Sequence, residues 1–193
     1  MSVTERGQSG EKIDGFISLD LSKELEHAIQ VSNLAYEVSH ELNLEENYCY
    51  ELAVAGMLHD IGKLKLSSCF EEDQEPLVIE ELKYVRTHPA LGYEELIGQG
   101  YSDNILKSIL YHHENYDGSG YPGNLRGEEI PFGARILRVC DVYSALCADR
   151  PYRKAFEKEA AMEQMIKDVK LFDMQIFLAF QRVAHEDVEE DKR

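Results

Sequence analysis

Two aspartates lie in the most apolar parts of this sequence. Asp60 ends a predicted helix whose preceding turns, residues 52–58, are apolar nearly all round. Asp141 lies in a second apolar helix, predicted over residues 132–149. Helices of this composition are buried at the centre of a fold. Because an ionised carboxylate without a partner costs several kcal/mol to bury, the fold must bring a compensating cation to both aspartates.

Apolar periodicity predicts helices along most of the chain. His27, Val31, Leu34 and Val38 recur at steps of four, three and four, which places them on one helix face. The other helices are predicted at about 46–60, 76–86, 87–98, 102–113, 132–149, 157–169 and 173–185. No segment calls for a β-strand. The prediction is an all-α fold, a single helical bundle of about seven or eight helices.

The polar and Gly/Pro-rich segments set the predicted domain organisation. Residues 1–14 read as a flexible N-terminal arm, 15–184 as the domain itself, and 185–193 as an acidic C-terminal tail. Residues 64–76 read as a surface loop, and residues 114–132 form a longer loop rich in glycine and proline. Turn residues of this kind allow the longer loop to fold back over a site.

Charge and composition exclude several functions. With a net charge of −17, the chain is unsuited to a nucleic-acid polymer, although metal ions or a few local cations could still attract a small anionic substrate. No segment approaches the roughly 20 apolar residues of a membrane span, and the N-terminus lacks a signal-peptide pattern. A cytoplasmic protein with reduced core thiols is predicted, since no C-x-x-C spacing links Cys49, Cys69, Cys140 and Cys147.

Five of the seven histidines are predicted at core-facing helix positions or at helix ends, whereas His40 and His185 are predicted at the surface. Two adjacent imidazoles share one metal ion only awkwardly, because neighbouring helical residues point about 100° apart, but they can line two sides of a cluster. Imidazole together with carboxylate suits Fe, Mn, Zn or Ni. We therefore predict a metal centre formed by Asp60, Asp141 and the five histidines His27, His59, His88, His112 and His113.

A series of motifs resembles the HD-GYP family, in the family's order and over roughly residues 20–182. They are His-Asp-Ile-Gly-Lys at 59–63, His88-Pro89 followed by Gly92, His-His-Glu-x-x-Asp-Gly-x-Gly-Tyr-Pro at 112–122, Asp141 within Arg-Ile-Leu-Arg-Val-Cys-Asp-Val-Tyr-Ser-Ala-Leu, and Arg150-Pro151-Tyr152-Arg153-Lys154. This family is a helical branch of the HD-domain phosphohydrolases and binds two or three metals. Its members typically hydrolyse cyclic di-GMP to the linear dinucleotide pGpG, and often onward to GMP.

The resemblance implies a role for each matching residue. Asp60 would bridge two divalent metals, Fe or Mn, which hold the attacking hydroxide between them. Lys63 would act with Asp60 in catalysis by contacting the scissile phosphate, and it lies one helical turn from His59. The terminal metal ligands would be His27, His59, His88, His112, His113 and Asp141, and the substrate contacts would be Lys63, Tyr121, Arg150 and Arg153.

The chain departs from the family at several positions. Members with three metals have a glutamate one turn before the first histidine, where this chain has Lys23, so two metals are expected unless Glu24 or Glu26 replaces it. The family often has arginine three residues after that histidine, where this chain has Gln30. Residues 64–73 also differ, and this segment commonly lies beside the pocket.

The residues themselves leave alternatives open. Lys63 could be a solvated lysine at a helix end, and Arg150 and Arg153 could belong to an ordinary exposed loop. Glu114 and Asp117 could orient the histidines, or Asp117 could cap the turn.

At the level of function, the alternatives are a phosphohydrolase for cyclic GMP-AMP or a linear dinucleotide, and a module that senses a dinucleotide with little turnover. Regulation is expected from a partner protein in trans, from oligomerisation or from metal redox state.

Overall fold

The computed structural model describes residues 21–65, 85–149 and 153–190, and the all-α prediction is confirmed. Two short 3-10 helices, Gly127–Glu129 and Val169–Leu171, accompany seven α-helices within the described residues. The α-helices are α1 (Leu21–Glu41), α2 (Glu46–Leu58), α3 (His88–Leu96), α4 (Asp103–Tyr111), α5 (Phe132–Cys147), α6 (Lys158–Lys167) and α7 (Met174–Glu190). The predicted N-terminal arm and most of the predicted 76–86 helix lie outside the described residues.

Helix α7 continues to Glu190, past its predicted end at residue 185. The acidic residues after His185 therefore extend the helix within the described part of the chain. Glutamate is a good helix former, and a helix that is already packed can propagate through such residues at little expense.

Helix α1 buries the predicted face. His27, Val31, Leu34 and Val38 are all buried, which confirms the period of the pattern. The helix packs against α2, α5 and α7. His27 thus places an imidazole in the interior among aliphatic side chains.

Helix α1 ends near Asn43, as predicted. Asn43 adopts a left-handed conformation with φ of 57°. Its N–H donates to the carbonyl of His40 at 2.9 Å, and the N–H of Leu44 donates to the carbonyl of Ser39 at 3.2 Å. These two bonds satisfy the last carbonyls of the helix in a Schellman motif.

Helix α5 is the centre of the bundle and contacts α1, α2, α4, α6 and α7. Ile136, Leu137, Val139 and Cys140 are all 0% exposed. A helix surrounded on this many sides must be apolar around most of its circumference, as the sequence predicts. Asp141 enters the core on this helix and is only 8% exposed.

Two of the three described thiols lie in the core, as predicted. Cys49, Cys140 and Cys147 are free, and the first two are buried. Cys69 lies outside the described residues. Among the residues described, no helix is both long and apolar enough to cross a membrane.

Gly62 allows the turn after α2 to touch the start of α3. A Cβ atom built at this position would lie 2.0 Å from the carbonyl oxygen of His88 and 2.7 Å from the backbone nitrogen of Gly92. Both are backbone atoms, so neither can move unless helix α3 moves. The close approach therefore fixes the separation of His59-Asp60 from His88.

We expect Gly62→Ala to lower the free energy of unfolding by about 3 kcal/mol, because overpacking against backbone leaves no side chain to yield. Urea unfolding followed by circular dichroism measures this. Gly98→Ala is the control: its added Cβ meets nothing within 4 Å. Its φ of +80° costs about 1 kcal/mol in a residue with a side chain. Equal losses in the two variants would show that the contact of Gly62 with α3 is unimportant.

Candidate metal centre

Five helices bring the predicted ligands together. Helix α1 carries His27, the turn after α2 carries His59 and Asp60, α3 begins at His88, the turn after α4 carries His112 and His113, and α5 carries Asp141. Most of these side chains are nearly inaccessible: His59 and His112 are 0% exposed and His88 is 1% exposed. The two histidines predicted at the surface, His40 and His185, are exposed.

The carboxylate of Asp60 lies at the centre of this cluster. Its Oδ1 is 3.0 Å from Nε2 of His88, and its Oδ2 is 3.2 Å from Nε2 of His59. The Nζ of Lys63 donates to Oδ2 at 2.6 Å. Each oxygen of Asp60 therefore faces a different histidine.

The donor atoms form two sets that share Asp60. One set contains Asp60, His88, His112 and His113, and the other contains His27, His59 and Asp60. Within each set, all the donor atoms lie within 4.8 Å of one another. The two adjacent histidines fall in the same set, so one carboxylate connects a three-histidine group with a two-histidine group.

Asp141 lies between the same two groups. Its Oδ1 is 3.1 Å from Nε2 of His27 and 3.9 Å from Nε2 of His59. Its Oδ2 is 3.8 Å from Nδ1 of His113. Both buried aspartates are therefore surrounded by imidazole nitrogens that could share a bound cation with them.

Three of the histidines have their tautomer fixed by the backbone. The Nδ1 atoms of His59, His88 and His112 lie 2.7, 2.5 and 2.7 Å from the carbonyl oxygen three residues earlier in the chain. A carbonyl can only accept, so each Nδ1 carries the proton. Nε2 is therefore the nitrogen of each ring that is available to bind a metal.

The donors fit divalent metal. Nε2 of His59 is completely buried and has no hydrogen-bond partner, although it lies close to Asp60. Nε2 of His88 and Nε2 of His112 face each other at 3.3 Å. Buried nitrogen lone pairs at such separations repel unless a cation lies among them. Imidazole and carboxylate donors together suit Fe, Mn or Zn.

The cluster also shifts its own protonation equilibria. Burial lowers the pKa of His113 to about 3 and brings the pKa of His112 well below its usual range. Burial has the same tendency at His59, but the negative charges of Asp60 and Asp141 outweigh it and raise the pKa to about 9 in the absence of metal. Burial opposes the ionised form of Asp60 too, yet the charges of His59 and Lys63 hold its pKa well below its usual range.

Lys63 is held beside the cluster by two carboxylates. Its Nζ donates to Oε2 of Glu24 at 3.0 Å as well as to Asp60, and its side chain is 22% exposed. The alternative of a solvated lysine at a helix end does not fit this position. Glu24 therefore contacts the site only indirectly, through its hydrogen bond with Lys63. The two donor sets consist of Asp60 and the histidines.

The Gly/Pro-rich loop forms one wall of the site. The ring of Tyr121 stacks on His113, with centroids 4.8 Å apart. Glu114 is 1% exposed, and its Oε1 accepts the backbone N–H of Gly123. Burial raises its pKa. Asp117 accepts from the backbone and hydroxyl of Ser119, so it caps the turn, which was one of its two predicted roles.

Two arginines that the sequence interpretation missed lie at this wall. The guanidinium of Arg86 is 5.2 Å from the centre of the Tyr121 ring. Nε of Arg138 donates to Oδ1 of Asn115 at 2.9 Å, and its Nη1 is 3.9 Å from Oδ2 of Asp141. Arg138 precedes Asp141 by three residues on α5, and this spacing places both on one face, so the pattern could have revealed it.

Arg153 is held at the end of α5. The guanidinium of Arg153 donates to the backbone carbonyls of Ala145, Leu146 and Lys154 and packs 4.5 Å over the ring of Phe156. It thereby caps the last carbonyls of α5. Its role in substrate binding stays a prediction, and Arg150 lies outside the described residues.

The fold and the cluster together define a class: a helical domain whose buried histidines and aspartates can hold divalent metal. A family model described as an HD domain matches residues 13–176, and this chain belongs to that family. The predicted resemblance to the HD-GYP branch is confirmed.

Two curated relatives illustrate the similarity. The cyclic di-GMP phosphodiesterase PA4108 of Pseudomonas aeruginosa is 36% identical over 155 residues, which cover 80% of this chain and 37% of that protein. The cyclic di-GMP phosphodiesterase response regulator RpfG of Xanthomonas campestris is 37% identical over 150 residues, which cover 75% of this chain and 39% of that protein. This chain therefore spans well under half the length of these two relatives.

A solved structure has the same fold. The crystal structure of a cyclic GMP-AMP specific phosphodiesterase of Vibrio cholerae superposes with a TM-score of 0.64 at 15% sequence identity. The superposition covers 85% of this chain and 46% of the other. At this level of identity the likeness concerns the arrangement of helices.

We expect His113→Asn to make the metal-free protein less sensitive to mild acid. The folded-state pKa values of His112 and His113 lie below the usual value of about 6.5, so these groups stabilise the fold fully above that pH and lose their contribution as the pH falls. Between about pH 7.5 and 5.5, His113 accounts for a loss of about 1 kcal/mol. His59 has the opposite sign, since its raised pKa adds stability over the same fall in pH.

The measurement is urea unfolding with a chelator present at the two pH values. Removal of the His113 imidazole should reduce the acid-induced loss by that amount. His40→Asn, at an exposed histidine, should leave the wild-type difference unchanged. An unaltered pH dependence in His113→Asn would contradict the assignment.

Proposed function

We propose that this chain is a metal-dependent phosphodiesterase that hydrolyses cyclic di-GMP to linear pGpG and onward to GMP. The observation that carries the proposal is the carboxylate of Asp60, whose two oxygens face His88 and His59 in two different donor sets. The similarity to cyclic di-GMP phosphodiesterases at 36% and 37% identity supports the choice of substrate.

The two donor sets would each hold one divalent metal, Fe or Mn, with Asp60 shared between them. His88, His112 and His113 would complete one site, and the remaining ligands His27, His59 and Asp141 the other. Metal bound there would activate water for attack and polarise the phosphoryl oxygens. Lys23 stands where a third site would need a carboxylate, which supports two metals.

Lys63 supplies a positive charge at the same place. Burial alone would lower its pKa, but the charges of Asp60 and Glu24 raise it, so the side chain is a cation at any physiological pH. An ammonium fixed at 2.6 Å from Asp60 is positioned to stabilise negative charge that develops on phosphoryl oxygens. It needs little reorganisation, because two carboxylates already orient it.

The Tyr121 wall is suited to the rest of the substrate. The ring of Tyr121 is exposed to the site beside His113, and Arg86 and Arg138 add two positive charges near it. A planar aromatic with guanidinium groups around it can stack a base and attract a phosphate. Arg150 and Arg153 remain predicted contacts to the second phosphate or the bases.

The buried free thiols support a reducing compartment, and we infer that the reaction takes place in the cytoplasm. Regulation through a partner protein in trans stays part of the proposal.

The first experiment is anaerobic purification with metal analysis and an assay for cyclic di-GMP hydrolysis. We expect about two Fe or Mn per chain in the wild type and loss of both metal and activity in Asp60→Ala, since this variant removes the ligand common to both sets. Asp103→Ala, at an aspartate whose side chain is 82% exposed, is the matched control and should retain both. Unchanged turnover in Asp60→Ala would refute the mechanism.

Lys63→Met should lower kcat about 100-fold while metal content stays normal, because the substitution removes a charge that acts on the transition state. Steady-state kinetics on metal-loaded protein measure this. Lys65→Met is the matched control, since Lys65 pairs with Glu95 and its side chain is 48% exposed. A loss of the same size in both variants would mean that Lys63 acts through folding.

Substrate range is tested in the same assay with cyclic GMP-AMP and linear pGpG beside cyclic di-GMP. Faster turnover of cyclic GMP-AMP would assign the chain to that substrate. Tight binding of cyclic di-GMP without cleavage, in fully metallated protein, would favour the sensing role.

A further inference from the structure

His27 differs from three of its fellow histidines in how its ring is held. Its Nδ1 lies 2.9 Å from the hydroxyl of Ser144 on α5, whereas His59, His88 and His112 use backbone carbonyls. The Ser144 hydroxyl in turn donates to Oε1 of Gln30 on α1 at 2.8 Å. Ser144 is 2% exposed, so its hydroxyl forms its hydrogen bonds within the protein.

With Oε1 of Gln30 turned toward Ser144, these hydrogen bonds favour one tautomer of His27. Oε1 of Gln30 can only accept, so the hydroxyl proton of Ser144 points to Gln30. The oxygen lone pair of Ser144 then accepts the N–H of His27 Nδ1. Nε2 of His27 is left without a proton, and it faces Oδ1 of Asp141 at 3.1 Å and Oδ2 of Asp60 at 3.8 Å.

We propose that Gln30 and Ser144 are positioning residues that hold His27 in its metal-binding tautomer, and that they thereby set the affinity of the site formed by His27, His59 and Asp60. This inference rests on the metal binding in the proposed function but not on its substrate. Substitution of a residue that hydrogen-bonds a metal ligand typically changes metal affinity 10- to 100-fold.

Gln30 and Ser144 also line a cavity of about 280 Å³, together with Asn33, Glu37, Tyr143 and Lys158 among others. Water can enter a polar space of this size. In Ser144→Ala, a water molecule could take the place of the lost hydroxyl. A test must therefore remove the hydroxyl and fill its volume at the same time.

Ser144→Thr and Ser144→Val form such a test, because the two side chains have the same shape and differ in one hydroxyl. Each variant is stripped of metal, titrated with Mn²⁺ against a chelator, and followed by electron paramagnetic resonance. We expect Ser144→Val to weaken one of the two sites about 10- to 100-fold and leave the other unchanged. Ser144→Thr should stay within about threefold of the wild type at both sites.

Gln30→Glu and Gln30→Lys test the direction of the relay. Glutamate keeps an acceptor at the same distance and should preserve the affinity of the His27 site. Lysine offers only donors and should weaken that site as Ser144→Val does. Circular dichroism and thermal unfolding of all four variants show that the fold persists.

The possible failures are distinct. Equal Mn²⁺ affinities in Ser144→Thr and Ser144→Val, or equal weakening of both sites, would overturn the relay alone. Wild-type protein that binds two metals without hydrolysing a cyclic dinucleotide would overturn the proposed function alone. Wild-type protein that binds no metal would overturn both.

Discussion

The carboxylate of Asp60 is the interaction on which the rest of this structure depends. A buried charge must have partners, and here imidazoles from α2, α3 and α1 and the ammonium of Lys63 all lie within 4 Å of it. The helices pack around an apolar core and place these polar residues at one point, where the residues find partners. Gly62 permits the convergence by letting the turn after α2 meet the backbone of α3.

The local charge differs from that of the molecule. The chain carries a net charge of −17, yet Lys63, Arg86 and Arg138 lie around the cluster, where bound metals would add further positive charge. Interactions at such short range are screened far less than those of the distant surface carboxylates. The charge close to the cluster can therefore differ from the acidity of the molecule as a whole.

Several residues of the donor cluster could be predicted from sequence because they are ionisable residues in otherwise apolar helices. His27 belongs to a stripe of aliphatic residues on α1, and Asp141 interrupts a buried helix. No comparable signal marked Arg86, which is exposed and is recognised only by its position over Tyr121. The sequence also gave no sign of the contact between Ser144 and Gln30, since serine and glutamine are common on helices. Only the structure shows the hydrogen bond that joins them across 114 residues.

The sequence by itself predicted a helical fold, which the described residues confirm, and the seven residues that meet at the donor cluster. Helical periodicity and the penalty for burying charge carried these two predictions, whereas the place of the Gly-Tyr-Pro loop followed from the resemblance to a family. The tertiary structure alone decided how the ligands divide into two sets around Asp60, and that Asp117 folds its own loop. It also decided that the ring of His27 is held by two side chains, whereas backbone carbonyls hold its neighbours. Such features depend on the distances between helices far apart in sequence, and no pattern within one segment records those distances.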